Sequence, residues 1–223
     1  GEVYRILSKY ELSKGGSKTA NIDEALKQLQ EGFRIKKDDP QYPIDIAQTY
    51  MLSARLQWNT PKAAVSLAAA HEAMQTAAGI EPPDSYYHQR LGELLLLEGR
   101  ERMQRGSSPL IAFQKARNAF EASLKLNPNN PHAYLGLAEL SRWQIQAGSL
   151  QNAEKHVDEG LKFIQSALSI NPSLAEAYAI RGVLMSQLTK NQKDPQMKTT
   201  SRESIQKALE MNRNLQREYA SFL

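Results

Sequence analysis

Apolar positions along this chain recur at helical intervals and nowhere settle into strict alternation. One pattern is a triad: a small residue, a large apolar one four positions later, and a small one three after that. It occurs as Ala25/Leu29/Gly32, Ala70/Met74/Ala77, Ala116/Phe120/Ser123, Gly160/Ile164/Ala167 and Ser201/Ile205/Ala208. Steps of four and three keep all three side chains on one helix face. The small members let a neighbouring helix approach closely, and the large member fills the space between. First members of successive triads lie 45, 46, 44 and 41 residues apart, and a fixed period of this size is the mark of a repeat array.

A second pattern precedes each later triad. It pairs a large residue with a small one: Ile46-Ala47, Leu91-Gly92 and Leu137-Ala138, with Arg181-Gly182 keeping only the small member. These pairs belong to the first helix of each unit, where it would face the second. Punctuation follows the same period. Five residues after the last small residue comes Pro82, Pro128 or Pro172, replaced by Lys37 and Arg213 in the outer units. Pro40 supplies the break in the first unit, and the last is expected to continue into a terminal helix. Helix starts are signalled where an N-cap type precedes Pro: Asp39-Pro40, Thr60-Pro61, Ser108-Pro109, Asn130-Pro131 and Asp194-Pro195. Asn21 with Glu24 and Ser173 with Glu176 have the spacing of capping boxes.

Together these signals predict helices over 2–13, 22–37, 40–58, 61–79, 84–105, 109–126, 131–146, 150–169, 174–189 and 195–211, with a short one from Leu215 to Phe222. No run has the period of two that a half-buried strand requires. The expected fold class is all-α, a superhelical α-solenoid of about five antiparallel helix pairs. It forms one repeat domain, 1–223, in units of about 1–39, 40–83, 84–129, 130–173 and 174–223, the last with a C-terminal capping segment.

AYLGLAEL, the triad and LNPNNP, in that order, resemble the tetratricopeptide repeat. The family's usual unit has 34 residues; the surplus here falls between the large–small pair and the triad, so both helices of a pair should be over-long. ASLKLNPNNPHAYLGLAELSRWQ and VDEGLKFIQSALSINPSLAEAYAIRGVLM are similar to the C-terminal repeat regions of certain bacterial serine/threonine protein kinases. That resemblance implies the non-catalytic tail of such a kinase. The chain itself carries no glycine-rich loop, V-A-I-K, H-R-D or D-F-G. It opens at Gly1 without a Met, and is read as a piece of a longer protein.

Composition narrows the chemistry. With no cysteine, disulfides, zinc–thiolate sites and cysteine nucleophiles are excluded, and a cytoplasmic setting fits. The net charge of +4 is spread along the chain, too little to argue for nucleic acid. The run Leu94 to Leu97 is bounded by Glu93 and Glu98, far short of the roughly 20 apolar residues of a membrane span, so no membrane partner is expected. KGGSKT, from Lys14 to Thr19, has neither the order nor the strand-to-helix setting of a phosphate loop and reads as a linker. His71, His88, His132 and His156 lack metal-ligand spacing and read as surface or groove-edge residues. Arg100, Arg102 and Arg105 read as basic residues favoured at a helix C-terminus. Trp58 and Trp143 read as packing residues. No catalytic residue, cofactor or metal site is expected.

The functional expectation is therefore a protein- or peptide-binding scaffold, with the first helices lining a concave groove. Their spacing nominates Gln48, Tyr86, Gln89, Glu93, His132, Glu139 and Arg142. Gln48, Glu93 and Glu139 share one register position, and Arg55 and Arg100 another. The Lys/Asn/Arg clamp that some tetratricopeptide proteins close on a peptide carboxylate is not expected, because Gln and Glu stand at the matching positions. The alternative is self-association as a homo-oligomer through exposed apolar residues such as Tyr219 and Phe222. Nucleic-acid binding is disfavoured by the acidic band in the groove.

Overall fold

The structure is a computed structural model and describes residues 20–148, 153–189 and 195–223. The expected helix over 2–13 and the KGGSKT linker lie outside these residues, as does Asp194. Among the described residues the secondary structure is helical throughout, with no strand. The long helices are α1 (Ala20–Ile35), α2 (Gln41–Leu56), α3 (Pro61–Ile80), α4 (Ser85–Gln104), α5 (Leu110–Leu126), α6 (Pro131–Ala147), α7 (Ala153–Ile170), α8 (Ala175–Thr189) and α9 (Pro195–Met211). After α9 come a 3₁₀ turn (Arg213–Leu215), the short α10 (Gln216–Tyr219) and a second 3₁₀ turn (Ala220–Phe222). The fold class read from the sequence therefore stands as all-α and tetratricopeptide-like. Helices α3 and α4 reach 20 residues each, which is where the long repeat period goes.

The chain packs as two compact units, one ending at Ala119 and the other beginning at Phe120. In the first unit, Ile44, Ala47 and Met51 of α2 pack with Leu67, Ala70, Met74 and Ala77 of α3 and with Leu94 and Leu97 of α4. Ile22 of α1 packs with Leu52 and Leu56 of α2. In the second unit, Ala138 and Ile145 of α6 meet Val157, Ile164 and Ala167 of α7 and Ile180 and Leu184 of α8.

The triads occupy the helix contacts that their spacing implied. Ala25, Ala70, Ala116, Phe120, Ser123, Ala167, Ile205 and Ala208 have no more than 1% of their surface exposed. Two glycines show how close the helices come. A Cβ on Gly160 would stand 2.7 Å from Leu184 Cδ1 and 3.1 Å from Ser141 Cβ. One on Gly182 would stand 2.6 Å from the carbonyl oxygen of Ser201, whose own hydroxyl donates to the Gly182 carbonyl at 2.7 Å. Arg181 holds the large position beside Gly182 by donating from Nε to Ser204 Oγ of α9 at 3.1 Å.

Each unit also ends its second helix in one way. The last triad residue accepts a hydrogen bond from the N–H four residues on: Lys36 to Gly32, Glu81 to Ala77, Asn127 to Ser123, Asn171 to Ala167 and Asn212 to Ala208. The same closing bond is made where Lys37 or Arg213 replaces proline.

Helix starts agree less well with the caps read from sequence. Asn130 Oδ1 accepts from the N–H groups of His132 and Ala133, and Asp84 Oδ1 accepts from Tyr87 N–H at 2.7 Å. Pro40 occupies the N-cap of α2, and Asp39 Oδ1, one residue earlier, accepts from Gln41 N–H at 2.9 Å. Thr60 makes no cap bond; its hydroxyl donates to the Gln57 carbonyl instead. Asn21 lies inside α1, so it caps nothing there. Ser173 gives its hydroxyl to Asn171 Oδ1 at 2.8 Å. Thr60 and Ser173 thus each give their hydroxyl to an acceptor in the preceding turn.

Candidate functional site

In the first unit the nominated residues fall into one polar network on neighbouring first helices. Gln48 of α2 donates from Nε2 to Tyr86 Oη of α4 at 2.9 Å. The Arg90 guanidinium lies over the Tyr86 ring, 4.7 Å from its centre. Arg90 Nη1 also pairs with Glu93 Oε2 at 2.9 Å, and Glu93 Oε1 accepts from Gln89 Nε2 at 2.8 Å. Gln89 is buried, whereas Arg90 and Glu93 keep about a quarter of their side-chain surface in water. Arg90 ties the network together. Its three-residue offset from Glu93 is the signal in the sequence for this pair. Arg55 is exposed, while Arg100 is held over the Trp58 ring at 5.6 Å.

Two members of the basic run at the end of α4 pair with carboxylates of the same helix. Arg102 pairs with Glu98 at 2.8 Å, and Arg105 pairs with Glu101. Glu98 also meets His71 Nε2 of α3 at 3.0 Å. The hydrogen bond from His71 holds the Glu98 carboxyl at about 2, with Arg102 adding to it and burial opposing it. Burial pushes His88 down against the opposing pull of Asp84. Among the described residues no three His, Asp or Glu side chains converge as a metal site would require, and no helix is long and apolar enough to cross a membrane.

In the second unit the nominated residues separate. His132 is exposed at the start of α6. Glu139 accepts from Trp143 Nε1 at 3.3 Å. Arg142 is only 5% exposed and is covered by the segment that follows α9. Its guanidinium carbon lies 5.0 Å from the Trp143 ring centre, 5.5 Å from that of Tyr219 and 5.8 Å from that of Phe222. Glu218 Oε1 stands 3.7 Å from Arg142 Nη1, beyond hydrogen-bond range. Tyr219 is 4% exposed and packs with Tyr178, Ala179 and Val183 of α8 and with Ile205 and Ala208 of α9. The expectation that Tyr219 offers an exposed apolar surface is therefore overturned, because α8 supplies it with an apolar bed.

One sequence signal could have found this arrangement. The register position of Gln48, Glu93 and Glu139 passes, by the 44-residue step from Leu137 to Arg181, to Val183. Polar in three units, it is apolar and wholly buried in the fourth. Such a switch marks a groove wall that something covers.

Neither a family model nor a curated protein matches the sequence. Solved structures match in fold. MamA from Desulfovibrio magneticus RS-1 is 19% identical over 95% of this chain and 94% of its own, with a TM-score of 0.51. A double mutant of MamA RS-1 is 18% identical over 95% of this chain and 94% of its own, at 0.48. YrrB, described as a TPR protein with an unusual peptide-binding site, is 15% identical over 89% of this chain and all of its own, at 0.40. At these identities the likeness is one of fold alone.

Proposed function

We propose that the chain is a non-catalytic scaffold that binds a protein or peptide along the face of its first helices. The contact residues are Gln48, Tyr86, Gln89 and Glu93 in the first unit and His132 and Glu139 in the second, with Arg142 joining them when the segment over it is displaced. The Gln48–Tyr86–Arg90–Glu93 network carries this reading. It holds polar side chains half-buried on neighbouring first helices, away from the triads that pack the core. Half-buried, preordered polar groups bind with little further loss of side-chain entropy. Glu93 and Glu139 favour a cationic guest, so the ligand is an extended or helical peptide with Lys or Arg near its centre. As the sequence resemblance implies, the chain serves as the regulatory repeat region of a bacterial serine/threonine protein kinase, in the cytoplasm. Kinase motifs encoded upstream of Gly1 are the expected finding, and a different upstream domain rejects that parent.

Peptides selected by display on the immobilised chain provide the test of binding. Lys- or Arg-centred sequences should dominate, and their affinity should fall at least tenfold in a Glu93→Lys, Glu139→Lys double variant that keeps its helix content. Equal affinity for both proteins would show that these carboxylates are not the binding surface. Self-association loses its main support with the burial of Tyr219; a solution mass equal to one chain is the expected result.

A further inference from the structure

The segment after α9 behaves chemically as a ligand that the chain carries for itself. It runs from Arg213 to Phe222 as two 3₁₀ turns flanking the four residues of α10. It places Tyr219 on Ala179 and Val183, and both Tyr219 and Phe222 over Arg142. Ala179 and Val183 lie four residues apart on α8, as Leu135 and Glu139 do on α6. By repeat register these are the positions that face the groove.

The fit is incomplete at its charged centre. Arg142 Nε and Nη1 are buried without a hydrogen-bond partner, and Glu218 stops at 3.7 Å. A guanidinium taken out of water and left short of its carboxylate is costly, even with aromatic faces around it. A bidentate carboxylate on Arg142 is the contact this site lacks.

We infer that the α6–α8 face of the second unit is a docking site for a partner segment that forms one helical turn with a carboxylate beside two aromatic residues. The chain's own Glu218, Tyr219 and Phe222 hold that site closed until such a segment displaces them. This rests on the groove-binding reading and names the partner's chemistry for the second unit. The partner's carboxylate completes the Arg142 pair that Glu218 leaves open. Its aromatics replace Tyr219 on Val183 and Phe222 over the guanidinium. Tethering gives the resident segment an effective concentration of about 1 mM, so the closed chain masks the site from weaker competitors.

The probe is a fluorescein-labelled peptide with the sequence NRNLQREYASFL, residues 212–223. The full chain carrying Tyr219→Ser and Phe222→Ser should bind it at least tenfold more tightly than the parent chain. Adding Arg142→Gln to that variant should abolish binding. Equal binding to parent and double variant, or none to either, means the segment is a structural cap only and overturns the proposal. A second readout needs no change to the aromatic contacts. Because the chain has no cysteine, Ser221→Cys can carry a bimane quenched by Trp143, with Trp143→Phe as the control. In a urea titration the quenching should disappear well before helical ellipticity does, as expected for a displaceable segment. Coincident loss, or quenching that persists in Trp143→Phe, overturns the proposal whether or not the double variant folds. These readouts turn on Arg142 and the C-terminal segment, neither of which the Glu93→Lys, Glu139→Lys variant changes. A failure here therefore leaves the Glu93-dependent test standing, and failure of that test leaves this one intact.

Discussion

Glu98 is the residue whose environment makes the sharpest claim about pH. Its carboxyl is held near 2 by the hydrogen bond from His71, against an ordinary value of 4.5. A depressed carboxyl binds fewer protons folded than unfolded, so it stabilises the chain above about pH 4.5. That contribution is lost as pH falls towards about 2. Thermal midpoints measured from pH 6 to pH 2 should therefore drop more steeply in the parent than in Glu98→Gln; parallel curves would remove Glu98 from the account. At the same scale, Gly160 is small because Leu184 and Ser141 of neighbouring helices occupy the space where a larger side chain would stand, and Ala116 is wholly buried. Replacing either with Leu should overpack the contact and cost about 1–3 kcal/mol. Unchanged midpoints in both variants would refute the helix register.

Among elements, α6 depends most visibly on one side chain at its start. Asn130 accepts from two backbone N–H groups and donates from Nδ2 to Ser123 Oγ at 3.1 Å, tying the end of α5 to the start of α6. Asn130→Ala should cost about 1–2 kcal/mol, the cap together with the lost bond to Ser123. Thr60→Ala at the start of α3 should cost clearly less, because Thr60 makes no cap bond. Chemical denaturation of the two variants side by side measures the difference, and equal losses would contradict the capping geometry. These starts look alike in sequence, each a cap-type residue before proline. They differ in where the side chain is held: Thr60 gives its hydroxyl to the Gln57 carbonyl at 2.8 Å, whereas Asn130 Oδ1 accepts from the His132 and Ala133 N–H groups.

For the whole molecule, far-ultraviolet circular dichroism should show a strongly helical spectrum, and a substantial strand fraction would reject the fold. The purified chain should neither bind ATP tightly nor transfer phosphate, because phosphoryl transfer needs a recognisable set of phosphate- and magnesium-positioning parts. Phosphate incorporation that survives removal of contaminating kinases would refute this. The candidate site was legible in sequence only as a set of register positions. Gln89 and Glu93, spaced one helical turn apart, do meet. Arg142 and Glu139 have a similar offset, yet Arg142 turns instead to Glu218 and the aromatics of the C-terminal segment.

The sequence alone determined the helices, the repeat register, the small residues at helix contacts and the helix ends before Pro82, Pro128 and Pro172. All of these are encoded locally, in turns of 3.6 residues and in the backbone limits of proline. The tertiary structure decided the partners of the polar residues. Gln48 reaches Tyr86 across 38 positions and His71 reaches Glu98 across 27. Those meetings depend on how far apart packed helices stand, a distance no local period contains. It also decided where the last residues go. From the sequence, Tyr219 and Phe222 read as exposed. The apolar bed of Ala179 and Val183 decides for Tyr219, because covering it removes surface from water that a free tail would leave exposed.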